Sequence, residues 1–103
     1  IFATDIDAAA LSKAAEGIYP ESISIDVSRK RLEKYFTFRN RNFHVSRALR
    51  EMIIFAPHNL AKNAGFTRMH LISCRNVLMY MQPVLQQHVM RMLHFSLMHK
   101  GIL

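Results

Sequence analysis

The sequence predicts an α/β fold built on a mostly parallel sheet. Three apolar runs each lead to a short polar side chain: Ile1–Thr4 to Asp5, Met52–Ala56 to Asn59, and Leu71–Cys74 to Asn76. The element order, β-α-(α, hairpin)-β-β-α-β, favours a parallel sheet covered by helices. If the runs are neighbouring parallel strands, their polar groups share the carboxyl edge of one sheet, where open α/β sheets bind ligands. The pattern therefore predicts a cofactor crevice.

The first elements are a buried strand and a capped helix. Residues 1–5 form the strand. Asp7 is suited to cap a helix over residues 8–16, and Gly17 is suited to end it. Ile18–Pro20 is predicted to turn the chain out of that helix.

A second helix and a hairpin follow. Ser28 is suited to cap this helix. Its apolar face consists of Leu32, Tyr35 and Phe36. Across residues 37–51, apolar side chains alternate with arginine, asparagine and histidine, as in a half-exposed hairpin that turns near Asn40.

The remaining elements are strands and one long helix: strands at Met52–Ala56 and Met69–Cys74, a helix that begins at Pro83, and a strand that begins at Ile102. Pro83 suits the first helical position. The apolar stripe of the helix consists of Leu85, Val89, Met92, Leu93, Ser96 and Leu97. The loop over residues 62–68 is shorter than the dozen or more residues that join paired parallel strands, so this connection is the weakest step of the predicted topology.

Length and composition describe one domain or part of one, at 103 residues. We interpret the chain as an internal fragment, because Ile1 begins inside a strand-like run and no initiator Met precedes it. Cys74 is the single cysteine, which excludes an intrachain disulfide and favours a reducing cytoplasm. No apolar run approaches the roughly 18 residues of a membrane span.

The charge is unevenly distributed. The formal net charge is +7, and all 7 acidic residues lie before Met52. This excludes paired-carboxylate hydrolysis and carboxylate-rich metal sites from the second half. The basic excess favours an acidic partner, which is a nucleic acid, an acidic protein surface or anionic lipid; a solvated basic face is the alternative.

The three strand-end residues are the candidate ligand-binding groups. Asp5 is placed to accept hydrogen bonds from ribose hydroxyls, with a local cap or turn as the alternative. Asn59 and Asn76 offer a donor and an acceptor, which suits an adenine edge or an amino-acid group; each is also a common turn former. No glycine-rich loop is present, so the first wall of a nucleotide site would come from upstream sequence.

Other chemistry finds less support. The histidines show no HxxxH or HExxH spacing and no accompanying acid, so we predict no metal site. Cys74 lies in a strand-like run, where cysteine is usually inert packing.

The candidate partner-binding residues are the arginines of the basic hairpin: Arg39, Arg41, Arg47 and Arg50. With Phe38 and Phe43 they suit nucleic acid or an acidic helix, and an ordinary solvated hairpin is the alternative.

Four segments resemble the CheR-type chemotaxis receptor methyltransferases: Phe2–Asp7, Gly17–Pro20, His58–Leu60 and Ser73–Tyr80. The segments Tyr19–Ile23 and Asp26–Ser28 are most similar to the CheB/CheR fusion branch, which carries a methylesterase domain. The resemblance covers nearly the whole chain and implies a Rossmann-like, S-adenosylmethionine-dependent methyltransferase fold. In this chain that fold would be incomplete, because its first strand and glycine loop lie outside residues 1–103.

The resemblance also implies an activity and a set of roles. The family methylates glutamate side chains on the cytoplasmic helical domain of chemoreceptors, and S-adenosylhomocysteine is the product. Asp5 would bind the cofactor ribose, and two pairs would line the cofactor pocket: Asn59 with Leu60, and Asn76 with Val77. The region around 37–51 resembles the small β-subdomain, inserted in the catalytic domain, through which the family contacts receptors. Arg75 or Tyr80 could orient the incoming carboxylate. The alternative is a non-catalytic basic module that binds nucleic acid or an acidic protein.

Several positions depart from the family pattern. The family usually has an acid near His70 and near Asn63, and Asp at the helix cap where Gln82 stands. The usual Pro-Gly before the last strand appears as His99–Gly101. We predict that the isolated fragment binds S-adenosylmethionine weakly or not at all.

Overall fold

The computed structural model describes residues 1–103, which divide into two compact units, 1–58 and 59–103. The first unit contains β1 (Phe2–Asp5), α1 (Ala8–Glu16), β2 (Ile18–Pro20), α2 (Arg29–Tyr35), β3 (Phe36–Arg39), β4 (Asn42–Val45), α3 (Arg47–Glu51) and β5 (Ile54–Pro57). The second unit contains β6 (Met69–Leu71), α4 (Pro83–Ser96) and β7 (Leu97–Ile102). Short 3-10 turns lie at Glu21–Ile25 and Leu78–Tyr80. The architecture is mixed α/β with small sheets.

In the first unit, β1 and β5 form the predicted parallel pair. Phe2 lies opposite Ile54, and Asp5 lies opposite Pro57. Helix α1, which follows β1, has both predicted caps. Asp7 accepts hydrogen bonds from backbone N–H groups of the first turn, and Gly17 ends the helix in a left-handed conformation with φ of 64°. These local predictions are confirmed.

A three-stranded antiparallel sheet, in the order β2-β4-β3, follows α1 in the same unit. The prediction that Ile18–Pro20 is only a turn is wrong, because β2 pairs with β4. Phe36, predicted on a helix face, belongs to β3 instead, where its ring contacts Tyr19 and Phe43 edge to face. The hairpin turn is confirmed at Asn40.

The hairpin is shorter than predicted. Its strands occupy residues 36–45, and Arg47–Glu51 forms the helix α3. Ser46 begins this helix by accepting a hydrogen bond from the backbone N–H of Leu49 at 3.4 Å. The hairpin prediction for residues 46–51 is therefore wrong, because a serine cap supplies a helical start that the alternating pattern did not show.

In the second unit, β6 pairs in parallel with β7. The predicted strand Met69–Cys74 ends at Leu71. Of the predicted row of three neighbouring strands, only β1 and β5 are hydrogen-bonded to each other, because β6 is hydrogen-bonded to β7 instead. The short loop over 62–68 therefore joins strands that are not hydrogen-bonded to each other, so the dozen or more residues that a pair of parallel strands requires are not needed here. The last strand begins at Leu97 rather than Ile102.

Helix α4 supplies the core of the second unit. Its predicted stripe is confirmed at three buried positions, Val89, Leu93 and Ser96. The loop before β6 lies against this helix through Gly65, where an added Cβ would stand 2.6 Å from Ser96 Oγ. Leu97, predicted at the end of the stripe, is extended with ψ of 147° and starts β7.

Large apolar side chains on the parallel strands are exposed. The exposed fractions are 50% for Phe2, 55% for Ile54, 67% for Leu71 and 65% for Ile102. Parallel strands are normally covered on both faces. The prediction that these strands are buried is wrong for residues 1–103 alone. No helix in the chain has the length and apolar character needed to cross a bilayer.

Candidate functional site

Asp5 lies at the carboxyl end of β1, as predicted. Its Oδ1 accepts a hydrogen bond from the backbone N–H of Asp7 at 3.0 Å. Its backbone oxygen accepts from the N–H of His58 at 2.9 Å. The local turn named as the alternative is thus present, but it uses one carboxylate oxygen and leaves Oδ2 as an acceptor on an exposed side chain.

Asn59 forms a turn of its own in the second unit. Its Oδ1 accepts from the N–H of Ala61 at 2.9 Å. Its own N–H donates to Asn63 Oδ1 at 2.7 Å. The side-chain acceptor is therefore used locally, and the Nδ2 group supplies the donors that remain. Leu60, predicted beside it, is half-buried.

Asn63 has a role that the sequence did not show. Its amide oxygen accepts a hydrogen bond from the backbone N–H of Asn59 at 2.7 Å. A carboxylate at this position would accept the same hydrogen bond, so the turn does not require a charged side chain here.

Asn76 lies on the loop after β6 in a left-handed conformation, with φ of 57°. Asparagine tolerates this conformation better than most residues. Val77 beside it is exposed, and so is Arg75. Tyr80 ends the following 3-10 turn with 82% of its surface exposed. The two candidate substrate-orienting side chains therefore stand on the same loop as two of the candidate cofactor residues.

This loop is fastened to α4 by Gln86. Its Nε2 donates to the backbone oxygens of Leu78 at 2.9 Å and Met81 at 3.0 Å. Gln82, which precedes the helix, makes no side-chain capping bond. Sequence reasoning missed Gln86, and only its place in the first turns of an amphipathic helix could have drawn attention to it.

The four candidate partner-binding arginines have different surroundings. Arg47 pairs with Glu51 at 2.6 Å, and Arg41 approaches Glu21 at 3.9 Å. Arg39 Nη2 lies 3.5 Å from His44 Nδ1. All of these groups except His44 are exposed, so such pairs contribute little stability, and the arginines can exchange these partners for others.

Arg50 differs from the other three. Its Nη2 donates to the backbone oxygen of Ala15 at 2.9 Å, in the last turn of α1. The last carbonyls of a helix lack partners within the helix, so this bond satisfies one of them. Arg50 thus has a structural contact that the sequence did not predict.

The family description "CheR methyltransferase, SAM binding domain" matches residues 1–103. The chain belongs to this family. The CheR domain is 38% identical over its whole length to an uncharacterized 104.1 kDa protein of Rhodobacter capsulatus, of which it covers 11%. It is 35% identical, again over its whole length, to the putative methyltransferase Cher3 of Pseudomonas putida, of which it covers 41%.

A relative named for its activity is the chemotaxis protein methyltransferase of Escherichia coli. The identity is 35% over 98 residues, which cover 88% of this chain and 34% of that protein. The CheR domain described here thus spans a tenth to two fifths of the length of these relatives.

The cofactor of the CheR domain is S-adenosylmethionine. The hydrogen-bonding groups of the candidate residues fit this molecule chemically. A carboxylate oxygen at Asp5 suits a ribose hydroxyl. The Nδ2 donors of Asn59 and the exposed amide of Asn76 suit polar atoms of the adenine or amino-acid part.

Proposed function

We propose that the protein containing this chain transfers a methyl group from S-adenosylmethionine to glutamate side chains of chemoreceptors, forming methyl esters. The observation that supports this most is Asp5. In a chain of the CheR family, it stands at the carboxyl end of a parallel strand, fixed through Oδ1 and open at Oδ2. The relatives named chemotaxis protein methyltransferase support the choice of substrate.

Each candidate residue then has a proposed role in binding. Asp5 Oδ2 accepts from the ribose hydroxyls. Asn59 with Leu60, and Asn76 with Val77, line the pocket for the rest of the cofactor. The amide groups supply directional hydrogen bonds, and the apolar pair excludes water beside them.

The chemistry needs alignment rather than a base. When bound, S-adenosylmethionine supplies an electrophilic methyl group on a positively charged sulfur. A glutamate carboxylate is already ionised near pH 7, so no proton has to be removed before its oxygen forms the new bond. Arg75 can pair with that carboxylate, and Tyr80 can donate a hydrogen bond to it. Orientation of this kind supplies much of a rate enhancement in two-substrate reactions.

We also propose that the fold is completed by sequence outside residues 1–103. Strand β1 is hydrogen-bonded only to β5, and β6 only to β7. The exposed apolar side chains on these strands need a cover. A further strand with a glycine-containing loop would provide the remaining part of a nucleotide site.

The proposed receptor contact is the β3–β4 hairpin with the helix α3 that follows it, an inserted β-subdomain around residues 37–51 that carries the four candidate arginines. Arg39 and Arg41 are its exposed cations on the hairpin, and an acidic helical surface complements them. The 104.1 kDa relative supports attachment to further domains, because this domain covers only 11% of it. A methylesterase domain is the one we expect.

The test is Asp5→Asn in the full-length protein. The amide oxygen of Asn can still accept from the Asp7 N–H, so the loop is kept while the charge and the second acceptor oxygen are lost. We expect S-adenosylhomocysteine to bind about 10- to 150-fold more weakly by calorimetry, in line with loss of a charge-assisted hydrogen bond of roughly 1.5–3 kcal/mol.

Asp7→Asn is the matched control, because Asn caps a helix as well as Asp does. Unchanged binding in Asp5→Asn would contradict the ribose role. If the wild-type protein bound no S-adenosylhomocysteine but bound nucleic acid with a steep salt dependence, the non-catalytic alternative would replace the methyltransferase.

A further inference from the structure

Gln86 holds the loop over residues 76–81 through two hydrogen bonds. Both hydrogens of its Nε2 are used, one on the oxygen of Leu78 and one on the oxygen of Met81. The side chain is half-buried, so water competes less for these bonds than at the surface.

The orientation of this amide is fixed by its partners. Both are carbonyl oxygens, which only accept, so the NH₂ group must face them and the amide oxygen must point away. A glutamate of the same shape would place a carboxylate against two carbonyl oxygens. The two carbonyl oxygens therefore favour glutamine over glutamate, which differ only in that an NH₂ group replaces an oxygen.

The loop has few other contacts of this kind. Tyr80 N–H donates to the oxygen of Val77 at 3.2 Å, and Met81 N–H donates to the oxygen of Leu78 at 3.0 Å, both within the loop. Gln82 adds no side-chain cap at the start of α4. The two bonds from the Gln86 side chain join the loop to the helix.

We propose that Gln86 is a positioning residue for methyl transfer. It rests on the proposed function, because the loop it holds carries Asn76 and Val77 on the cofactor side and Tyr80 on the substrate side. Fixing the oxygens of Leu78 and Met81 sets the direction in which these side chains leave the loop. Since a displacement of about 1 Å can cost roughly 100-fold in rate, a two-point attachment of this loop is functionally significant.

The experiment compares two variants of Gln86 in the full-length protein with the same changes at Gln87. Gln86→Met keeps the length and removes both donors, and Gln86→Glu adds the repulsive carboxylate. Gln87 is exposed on the same helix, so Gln87→Met and Gln87→Glu match the composition and charge changes. The measurements are the S-adenosylhomocysteine Kd, the KM and kcat of methyl transfer, and hydrogen exchange of residues 76–82.

We expect both Gln86 variants to raise the Kd about 10-fold, to lower kcat, and to speed exchange in residues 76–82, with Gln86→Glu more affected. The Gln87 variants should match wild type. A lowered melting temperature with unchanged Kd, KM and kcat would show a merely structural residue and overturn the inference. So would failure of both Gln86 variants to fold.

The two proposals fail in different ways. If the wild-type protein neither binds S-adenosylhomocysteine nor transfers methyl groups, the proposed function is wrong. If wild type does both and the Gln86 variants do so equally well, only the role of Gln86 is wrong.

Discussion

At the scale of single residues, polar side chains of the candidate site accept hydrogen bonds from backbone N–H groups a few positions away. Asp5 fixes the N–H of Asp7, Asp7 fixes the first turn of α1, and Asn59 fixes Ala61. Each leaves another donor or acceptor unused. A turn-forming role and a ligand-binding role are therefore compatible at Asp5 and Asn59, because carboxylate and amide groups have more than one bonding site.

Gly17 offers a test of the backbone at this scale. Its φ of 64° is costly for residues with a Cβ, and an added Cβ would stand 3.3 Å from Val45 Cβ. We expect Gly17→Ala to lower the free energy of unfolding by about 1–2 kcal/mol in urea titrations.

Gly17→Asn separates the two causes. Asparagine tolerates the left-handed region but brings the same Cβ, so a smaller loss than in Gly17→Ala would assign the difference to the backbone conformation. Equal losses in both variants would mean that the backbone conformation is not the cause.

Two of the three cap predictions from local sequence were correct, whereas Ser28 precedes α2 without a side-chain capping hydrogen bond. Asp7 and Gly17 were assigned correctly because a cap needs only its own neighbours in sequence. The environment of Arg50 could not be foreseen, since its partner Ala15 is 35 positions away. Gln86 was missed because a glutamine in a helix has no sequence feature that marks its partners.

At the scale of elements, α4 follows its apolar period closely. Val89 is fully buried and Val84 is 81% exposed on the same helix. We expect Val89→Ala to lower the free energy of unfolding by about 2 kcal/mol, through lost burial and the cavity that remains.

Val84→Ala is the control for that experiment. It removes the same atoms and should change stability by less than about 0.5 kcal/mol in the same urea titration. Similar losses at both positions would contradict the burial of the stripe.

Unlike α3, whose start depends on a local serine cap, β2 and β7 were predicted incorrectly because each depends on a distant partner. The segment Ile18–Pro20 is a strand because β4 lies beside it, and β7 starts at Leu97 because β6 does. The apolar period of α4 continues through Leu97, so periodicity alone could not mark the end of the helix. Pairing decides these boundaries, and pairing is not visible in a local pattern.

At the scale of the whole molecule, the chain has little buried core. The buried apolar side chains are Leu32, Val89 and Leu93. The first unit also contains an apolar cavity of about 330 Å³ beside Tyr19, Phe36 and Phe55. The proposed cover on the parallel strands would add apolar contacts to this small core.

The isolated chain provides a direct test. We expect residues 1–103 alone to show no micromolar binding of S-adenosylhomocysteine in calorimetry, whereas the full-length protein binds it. The reason is that the proposed glycine loop and covering strand are absent from the isolated chain. Micromolar binding by the isolated chain would show that the candidate residues suffice.

The receptor contact is tested by reversing charge on the hairpin of the full-length protein. We expect Arg39→Glu with Arg41→Glu to raise the KM for receptor about 10-fold at low salt, with a smaller effect as salt screens the charges. Arg91→Glu with Lys100→Glu, at two exposed positions of the second unit, is the control that changes the net charge by the same amount. Methylation that is equally efficient in both proteins would place the receptor contact elsewhere.

The turn at Asn40 and Arg41 has a consequence for engineering. Both residues have positive φ, 49° and 58°, in a two-residue hairpin loop where Asn-Gly is the preferred pair. Glycine in place of Arg41 would relieve the backbone and remove a proposed receptor-facing charge at the same time. Selection for thermal stability alone would therefore favour Arg41→Gly and remove a charge from the proposed receptor contact. At this position, thermal stability favours glycine and the proposed receptor contact favours arginine.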